Sequence, residues 1–214
     1  MNYKEVLDNT ARQIENLIIT EVDGVEIPTS DYGWGNKRFI SDVFRVSHIE
    51  RYSDKNIEVL HFTCFPTVFH QDPIFGFDVI ATDKKPLAAF MDWSPVDNLK
   101  SYECTYKFET PYKLPDWAKS IFSKDAIAIV PNDIELKMVC SIVIDSLKEY
   151  FKLLNNTKPS TSRYEYIVAK QNYYCEQQQK NERTYNVLKS KLGKEGAKEF
   201  METILFPKLN NINE

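Results

Sequence analysis

A chain of 214 residues with 43% hydrophobic and 27% charged residues has the composition of a folded globular domain. Its formal net charge of −4 speaks against a nucleic-acid binder, which carries a basic excess. No apolar run approaches the roughly 20 residues of a membrane span, and the N-terminal MNYKEVLDNTARQIENLI holds acids where a signal peptide needs an apolar stretch. Four widely separated cysteines (Cys64, Cys104, Cys140, Cys175) form no CxxC pair. They predict reduced thiols in a cytoplasmic protein, with neither a zinc site nor a redox motif. Thirteen Phe and twelve Tyr either fill an ordinary core or wall a cavity for a flat ligand, and composition leaves both open.

Val6, Leu7, Ala11, Ile14, Leu17 and Ile18 recur at near-helical spacing and predict an amphipathic helix over 4–19. A short β-like stretch over 20–28 follows, then the loop TSDYGWGNK, whose glycines lack the GxxxxGK of a phosphate loop. Runs rich in β-branched and aromatic residues predict strands over 39–52, 57–66, 74–82 and 87–93, separated by SDKN, TVFHQDP and TDKKP. Such a meander gives an antiparallel sheet. CTYKF (104–108) reads as an edge strand, LPDWAKSIFSK as a short helix, and 126–130 as a compact strand closed by Pro131. Asn132 or Asp133 caps a strong helix with the apolar stripe Ile134, Met138, Val139, Ile142, Val143, Leu147, Tyr150, Phe151 and Leu154. After the loop NNTKPSTS, residues 163–192 predict a long helix, open to a kink and stopped by Gly193; 194–206 predict a last one. Strands with helices before and after them predict an α/β fold, a three-layer α/β/α sandwich with a central, mainly antiparallel sheet. Residues 1–214 are expected to form one domain.

Two ionisable residues stand in apolar company: His61 in VLHFTCFP and Asp78 in IFGFDVIA. A hairpin turn centred on Asp54–Lys55 pairs Glu50 with Val59 and His48 with His61. Alternation then puts His48, Glu50, Val59 and His61 on one face, with Glu50 and His61 as diagonal neighbours. A one-residue slip would undo this. Burying Asp78 is costly unless it is paired or protonated, which predicts a displaced pKa. A carboxyl group beside a histidine is an acid–base kit. A salt-bridged turn aspartate and a satisfied core histidine have the same spacing, so the residues leave both readings open. Further on, YYCEQQQKNERTYNVLKSKLG (173–193) interleaves amides, Glu182, Arg183 and aromatics. Arg183 or a nearby lysine is a candidate clamp for a carboxylate.

VLHFTCFP, DPIFGFDVI, the small residues before DWSP, CEQQQKNERTYNVL and a terminal ILF, in that order over 35–206, resemble the ferredoxin-dependent bilin reductases. The resemblance implies biliverdin IXα held between the sheet and the C-terminal helices. It implies no bound metal or flavin; reduced [2Fe-2S] ferredoxin passes electrons singly to the bilin, and side chains supply protons to bilin radicals. By motif, Asp78 is carried over as the catalytic aspartate, His61 as its partner, and Glu50 in SHIERY as the acid that serves vinyl reduction. Glu50 and His61 together point to the phycocyanobilin-forming branch, by a four-electron reduction. A phycoerythrobilin-forming or two-electron reductase, and a non-catalytic bilin carrier, are the alternatives. Asn181, Glu182 and Arg183 in KNERT are the implied substrate contacts, with Glu182 where the family commonly has Asp and Arg183 where it has Lys. Val130 stands where the family's propionate-binding arginine is expected, which leaves Arg183, Lys180 or Arg45 for that task. The β-hairpin is one residue shorter than the family pattern, and the N-terminal region is also short. The chain is thus expected to be a cytoplasmic monomer whose partners are biliverdin and ferredoxin, not nucleic acid or membrane.

Overall fold

The protein is described by a computed structural model covering residues 1–96 and 102–209. Asn2 starts helix α1 (Tyr3–Val22) by accepting the Glu5 N–H at 3.2 Å. Leu7, Ile14, Leu17 and Ile18 form its buried stripe. Seven strands follow among the described residues: β1 (Val25–Ile27), β2 (Gly35–Ile40), β3 (Phe44–Ser53), β4 (Glu58–Pro66), β5 (Ile74–Ala81), β6 (Pro86–Ser94) and β7 (Ile127–Ile129). They lie in sequence order in one sheet, every neighbouring pair antiparallel. Helix α2 (Asp116–Lys119) precedes β7; α3 (Asp133–Asn156), α4 (Tyr164–Gln178), α5 (Glu182–Glu199) and a π-helical segment (Phe200–Leu205) come after it.

The two sheet faces carry separate cores. One presents Ile49, Leu60, Phe62, Phe75, Phe77, Val79, Met91 and Trp93 to α1 and α3, and these residues are buried in a single apolar cluster. Each ring or branched side chain so buried contributes about 1.5–3 kcal/mol. The other face presents Val46, Phe65 and Ile74 to Ile167, Tyr174 and Cys175 of α4, Leu188 of α5, and Phe200, Met201 and Ile204 of the π-helical segment. The result is the expected α/β/α sandwich.

Several local expectations are corrected. The run 39–52 is two strands, because the Ser41 hydroxyl accepts the N–H groups of Val43 (3.2 Å) and Phe44 (3.4 Å) and turns the chain between them. Gly35–Lys37, expected in a loop, opens β2 instead. CTYKF is not a strand. The outer edge of β7 is taken by Thr110–Tyr112, where Tyr112 N–H bonds Ala128 O at 2.8 Å and Val130 N–H bonds Thr110 O at 2.9 Å. Asn132 rather than Asp133 caps α3, in a capping box with Glu135. Ile134, placed in the apolar stripe, is 72% exposed in the first turn. The long C-terminal helix divides at Gln179–Asn181, since the Asn181 side chain accepts the Thr184 N–H at 3.3 Å and starts α5 afresh. Gly193 does interrupt the helical path, at φ 73°, a left-handed value that glycine adopts without steric cost.

Candidate functional site

The β3–β4 hairpin sets the register on which the site depends. Asp54 Oδ1 accepts the N–H groups of Asn56 (2.8 Å) and Ile57 (3.0 Å), and Asp54 N–H bonds Ile57 O at 3.0 Å. The loop therefore runs Asp54–Ile57, and Ser53 faces Glu58. Glu50 faces His61 directly instead of Val59, and His48 faces Thr63 instead of His61. The displacement is by an even number of residues, so the expected face survives. β5 then sets Asp78 opposite His61. One row of side chains crosses the sheet from β2 to β7: Asn36, Glu50, His61, Asp78, Phe90, Ala128.

Within that row His61 Nδ1–H donates to Asp78 Oδ1 at 2.6 Å. Its Nε2 is buried without a partner. Burial pulls the imidazole pKa down, but the charge and hydrogen bond of Asp78 and the charge of Glu50 outweigh it, and the net shift is upward. Glu50 is 7% exposed, and burial raises its carboxyl pKa to about 7 against the opposing pull of His61. An acid held near neutrality thus adjoins a histidine biased toward its cation, which in turn bonds a carboxylate. Such a set can release and recapture protons near neutral pH.

Asp78 departs from the expectation of deep burial: its side chain is 37% exposed. The reason is the partial cover on this face. Gly76, Asp78, Ile80, Phe90 and Ala128 are all half-buried, whereas Phe77, Val79, Ala89, Met91, Ile127 and Ile129 on the opposite face are buried. The half-exposed strip is apolar except for Asp78, a suitable bed for a flat ligand. Phe206 stands edge-on to His61 at 5.9 Å, and Phe90 packs edge-on to Tyr112 at 4.9 Å. The Tyr174 hydroxyl, which accepts the Gln178 amide at 2.9 Å, overhangs Gly76 so closely that a Cβ there would lie 3.3 Å from it.

The remaining candidates are dispersed. Asn181 caps α5. Glu182 and Arg183 are exposed in its first turn, and Arg183 donates to the Tyr112 hydroxyl while lying over its ring. Arg183 thereby reaches the Phe90 end of the row; Glu182 has no contact with the Glu50–His61–Asp78 row. Arg45 is engaged elsewhere, donating to Gln171 Oε1 (2.7 Å) and Pro207 O (2.9 Å) and lying over the Phe65 ring. Lys180 bonds Gln177 Oε1 at 2.9 Å. Val130 is 39% exposed and borders a concavity of about 750 Å³ with Met1, Tyr3 and Pro86, away from the acid–histidine row. Sequence reasoning placed His48 on this face without giving it a role, and it missed Asn36. His48 Nε2–H donates to Asn36 Oδ1, its ring lies 5.8 Å from that of His61, and burial, His61 and Arg38 hold its pKa well below the ordinary value. GNKRFI carries no alternation of apolar and polar residues, so the sequence held no strand signal for the first half of β2.

The family model for ferredoxin-dependent bilin reductases matches residues 34–207. The chain belongs to that family and is an enzyme of the ferredoxin-dependent bilin oxidoreductase class. It is 32% identical over 178 residues to the phycocyanobilin:ferredoxin oxidoreductase of Prochlorococcus marinus (strain MIT 9515), covering 76% of this chain and 72% of that one. The protein of the same name from Trichodesmium erythraeum (strain IMS101) is 28% identical over 188 residues, covering 82% and 76%. Two solved structures share the fold. PcyX aligns at a TM-score of 0.69 and 23% identity, over 95% of this chain and 99% of its own. Tomato phytochromobilin synthase, solved with biliverdin, aligns at 0.72 and 16%, over 96% and 83%. No helix among the described residues is long and apolar enough to cross a membrane.

Proposed function

We propose that this protein, as a single bilin reductase domain over residues 1–214, reduces biliverdin IXα to phycocyanobilin, taking four electrons one at a time from reduced [2Fe-2S] ferredoxin. The observation that carries this reading is the unbroken row Glu50–His61–Asp78 beside a half-exposed apolar strip. The bilin lies flat on that strip, beneath α4 and α5. Each electron delivered to the tetrapyrrole raises its basicity, and a proton follows from the row. Asp78 protonates the bilin and is recharged through its hydrogen bond with His61. Glu50, uncharged below about pH 7, donates at the neighbouring ring edge. Arg183, with Glu182 and Asn181 beside it, contacts the substrate's outer end.

Ferredoxin, an acidic protein, docks on the exposed lysines of the C-terminal helices, among them Lys189, Lys194 and Lys198. Turnover then weakens as salt rises; insensitivity to ionic strength would remove this docking mode. The buried free thiols Cys64, Cys140 and Cys175 agree with a cytoplasmic setting. The decisive assay is anaerobic incubation with biliverdin IXα and a ferredoxin-reducing system, followed by chromatography of the bilins. Phycocyanobilin is the expected product. Phycoerythrobilin or a two-electron product would reassign the regiochemistry, and unchanged biliverdin would make the protein a carrier.

A further inference from the structure

Some polar side chains beneath the C-terminal helices are satisfied. Asp92, whose carboxyl pKa burial pushes up, accepts from Ser94 Oγ (2.6 Å), Ser123 N–H (3.0 Å) and Ser123 Oγ (2.5 Å). Gln171 bonds both Arg45 and Pro66 O. Arg38 is different. It lies on β2 directly opposite His48 and is a diagonal neighbour of Glu50, on the face of the acid–histidine row. Its guanidinium is half-buried, and Nε is fully buried with no acceptor.

No carboxylate of the described residues pairs with it. The titratable neighbours it senses are of the wrong sign or neutral: Arg45, close enough for like-charge repulsion, the imidazole of His48 and the phenol of Tyr32. Tyr32, Trp34 and Phe200 wall this end of the face, with Tyr32 and Phe200 at 4.6 Å and Trp34 and Phe200 at 5.6 Å. A guanidinium held in an aromatic corner beside a second cation, without an acceptor, is destabilising by itself. What complements it is an anion from outside the chain. A guanidinium binds a carboxylate through two parallel N–H···O bonds, a geometry that a lysine ammonium does not reproduce.

We infer that Arg38 is the carboxylate anchor of this enzyme, taking one propionate of the bilin at the β2 end of the sheet. That end is the far side from Val130, across β3 to β6. The inference rests on biliverdin being the substrate. An anchor two residue pairs along the ladder from Glu50 does more than add affinity: it selects which edge of the tetrapyrrole faces Glu50, His61 and Asp78. Arg45 is turned to other partners, its Nε to Gln171 Oε1 and its Nη2 to Pro207 O.

The test is absorbance titration of biliverdin IXα and of its dimethyl ester into wild type, Arg38→Lys and Arg38→Met. Wild type prefers the diacid, and Arg38→Met cuts that preference by about 10- to 100-fold, as expected for a charge-assisted pair. The ester binds the Arg38→Met variant within about twofold of wild type, since it forms no charged pair. Arg38→Lys falls between the two. A diacid preference unchanged in Arg38→Met overturns the anchor and leaves the proposed substrate standing. Equal weakening of acid and ester in both variants also overturns it, by assigning Arg38 a packing role. A wild type that binds neither compound overturns the substrate, and the anchor with it.

Discussion

Strand β4 presents Leu60, Phe62 and Cys64 to one side of the sheet and His61, Thr63 and Phe65 to the other. The first set joins a continuous apolar cluster with α1 and α3, held by close packing of rings and branched side chains. The second adjoins a row of polar groups, several of whose atoms lack partners: His61 Nε2, His48 Nδ1, Thr63 Oγ1 and Arg38 Nε. Unpartnered buried polar atoms cost stability, so a face rich in them is held by the rest of the fold. One side of this sheet holds the molecule together, and the other uses that rigidity to keep titratable groups in awkward positions.

If that division is right, substitutions on the two faces should fail in different ways. The largest effect is expected for Asp78→Asn, which should lower turnover by about 10²- to 10⁴-fold, the range for loss of a positioned proton donor. Biliverdin should still bind, with single-turnover absorbance showing a stalled intermediate. Full turnover would sink the assignment. On the other face, Phe62→Ala should cost about 3–5 kcal/mol of stability by urea unfolding, as ring-to-methyl truncation in a closed core does. A loss below about 1 kcal/mol would mean the cluster is looser than its burial implies.

Glu50→Gln should separate the faces by pH. Glu50 titrates at about 7 when folded against an ordinary 4.5, so the folded state binds its proton more tightly. The associated stability is fully present below pH 4.5 and is lost as pH rises through 7. Over that window wild type should lose about 3 kcal/mol relative to Glu50→Gln, an order-of-magnitude figure. Parallel pH profiles for the two proteins would show that Glu50 is not held as described. The smallest effect belongs to Asn132→Ala, which removes the cap of α3. About 1 kcal/mol should disappear from thermal stability, with turnover unaffected.

The strand meander and α3 were legible because their signals are local: alternation, turn chemistry and a cap followed by a 3.6-residue stripe. Two features were not. The β3–β4 register depended on Asp54 capturing the N–H groups of Asn56 and Ile57, a choice between turns that SDKN does not dictate. Its consequence was large for Glu50, which moved from diagonal to directly opposite His61, yet alternation protected the face. The β2 end of the site was hidden for a different reason. Asn36, Arg38 and the aromatics Tyr32 and Trp34 acquire meaning only when β2 pairs with β3 and the π-helical segment brings Phe200 above them. Such long-range contacts leave no periodic trace in the chain.

His61 and His48 carry the central claim, because they are neighbouring histidines that the site drives in opposite directions. Nitrogen-15 NMR of histidine-labelled protein, with His→Gln variants for assignment, reads each ring separately. The His61 imidazolium is expected to persist above the ordinary value of 6.5, and His48 to stay neutral well below it. Both rings titrating together near 6.5 would contradict it.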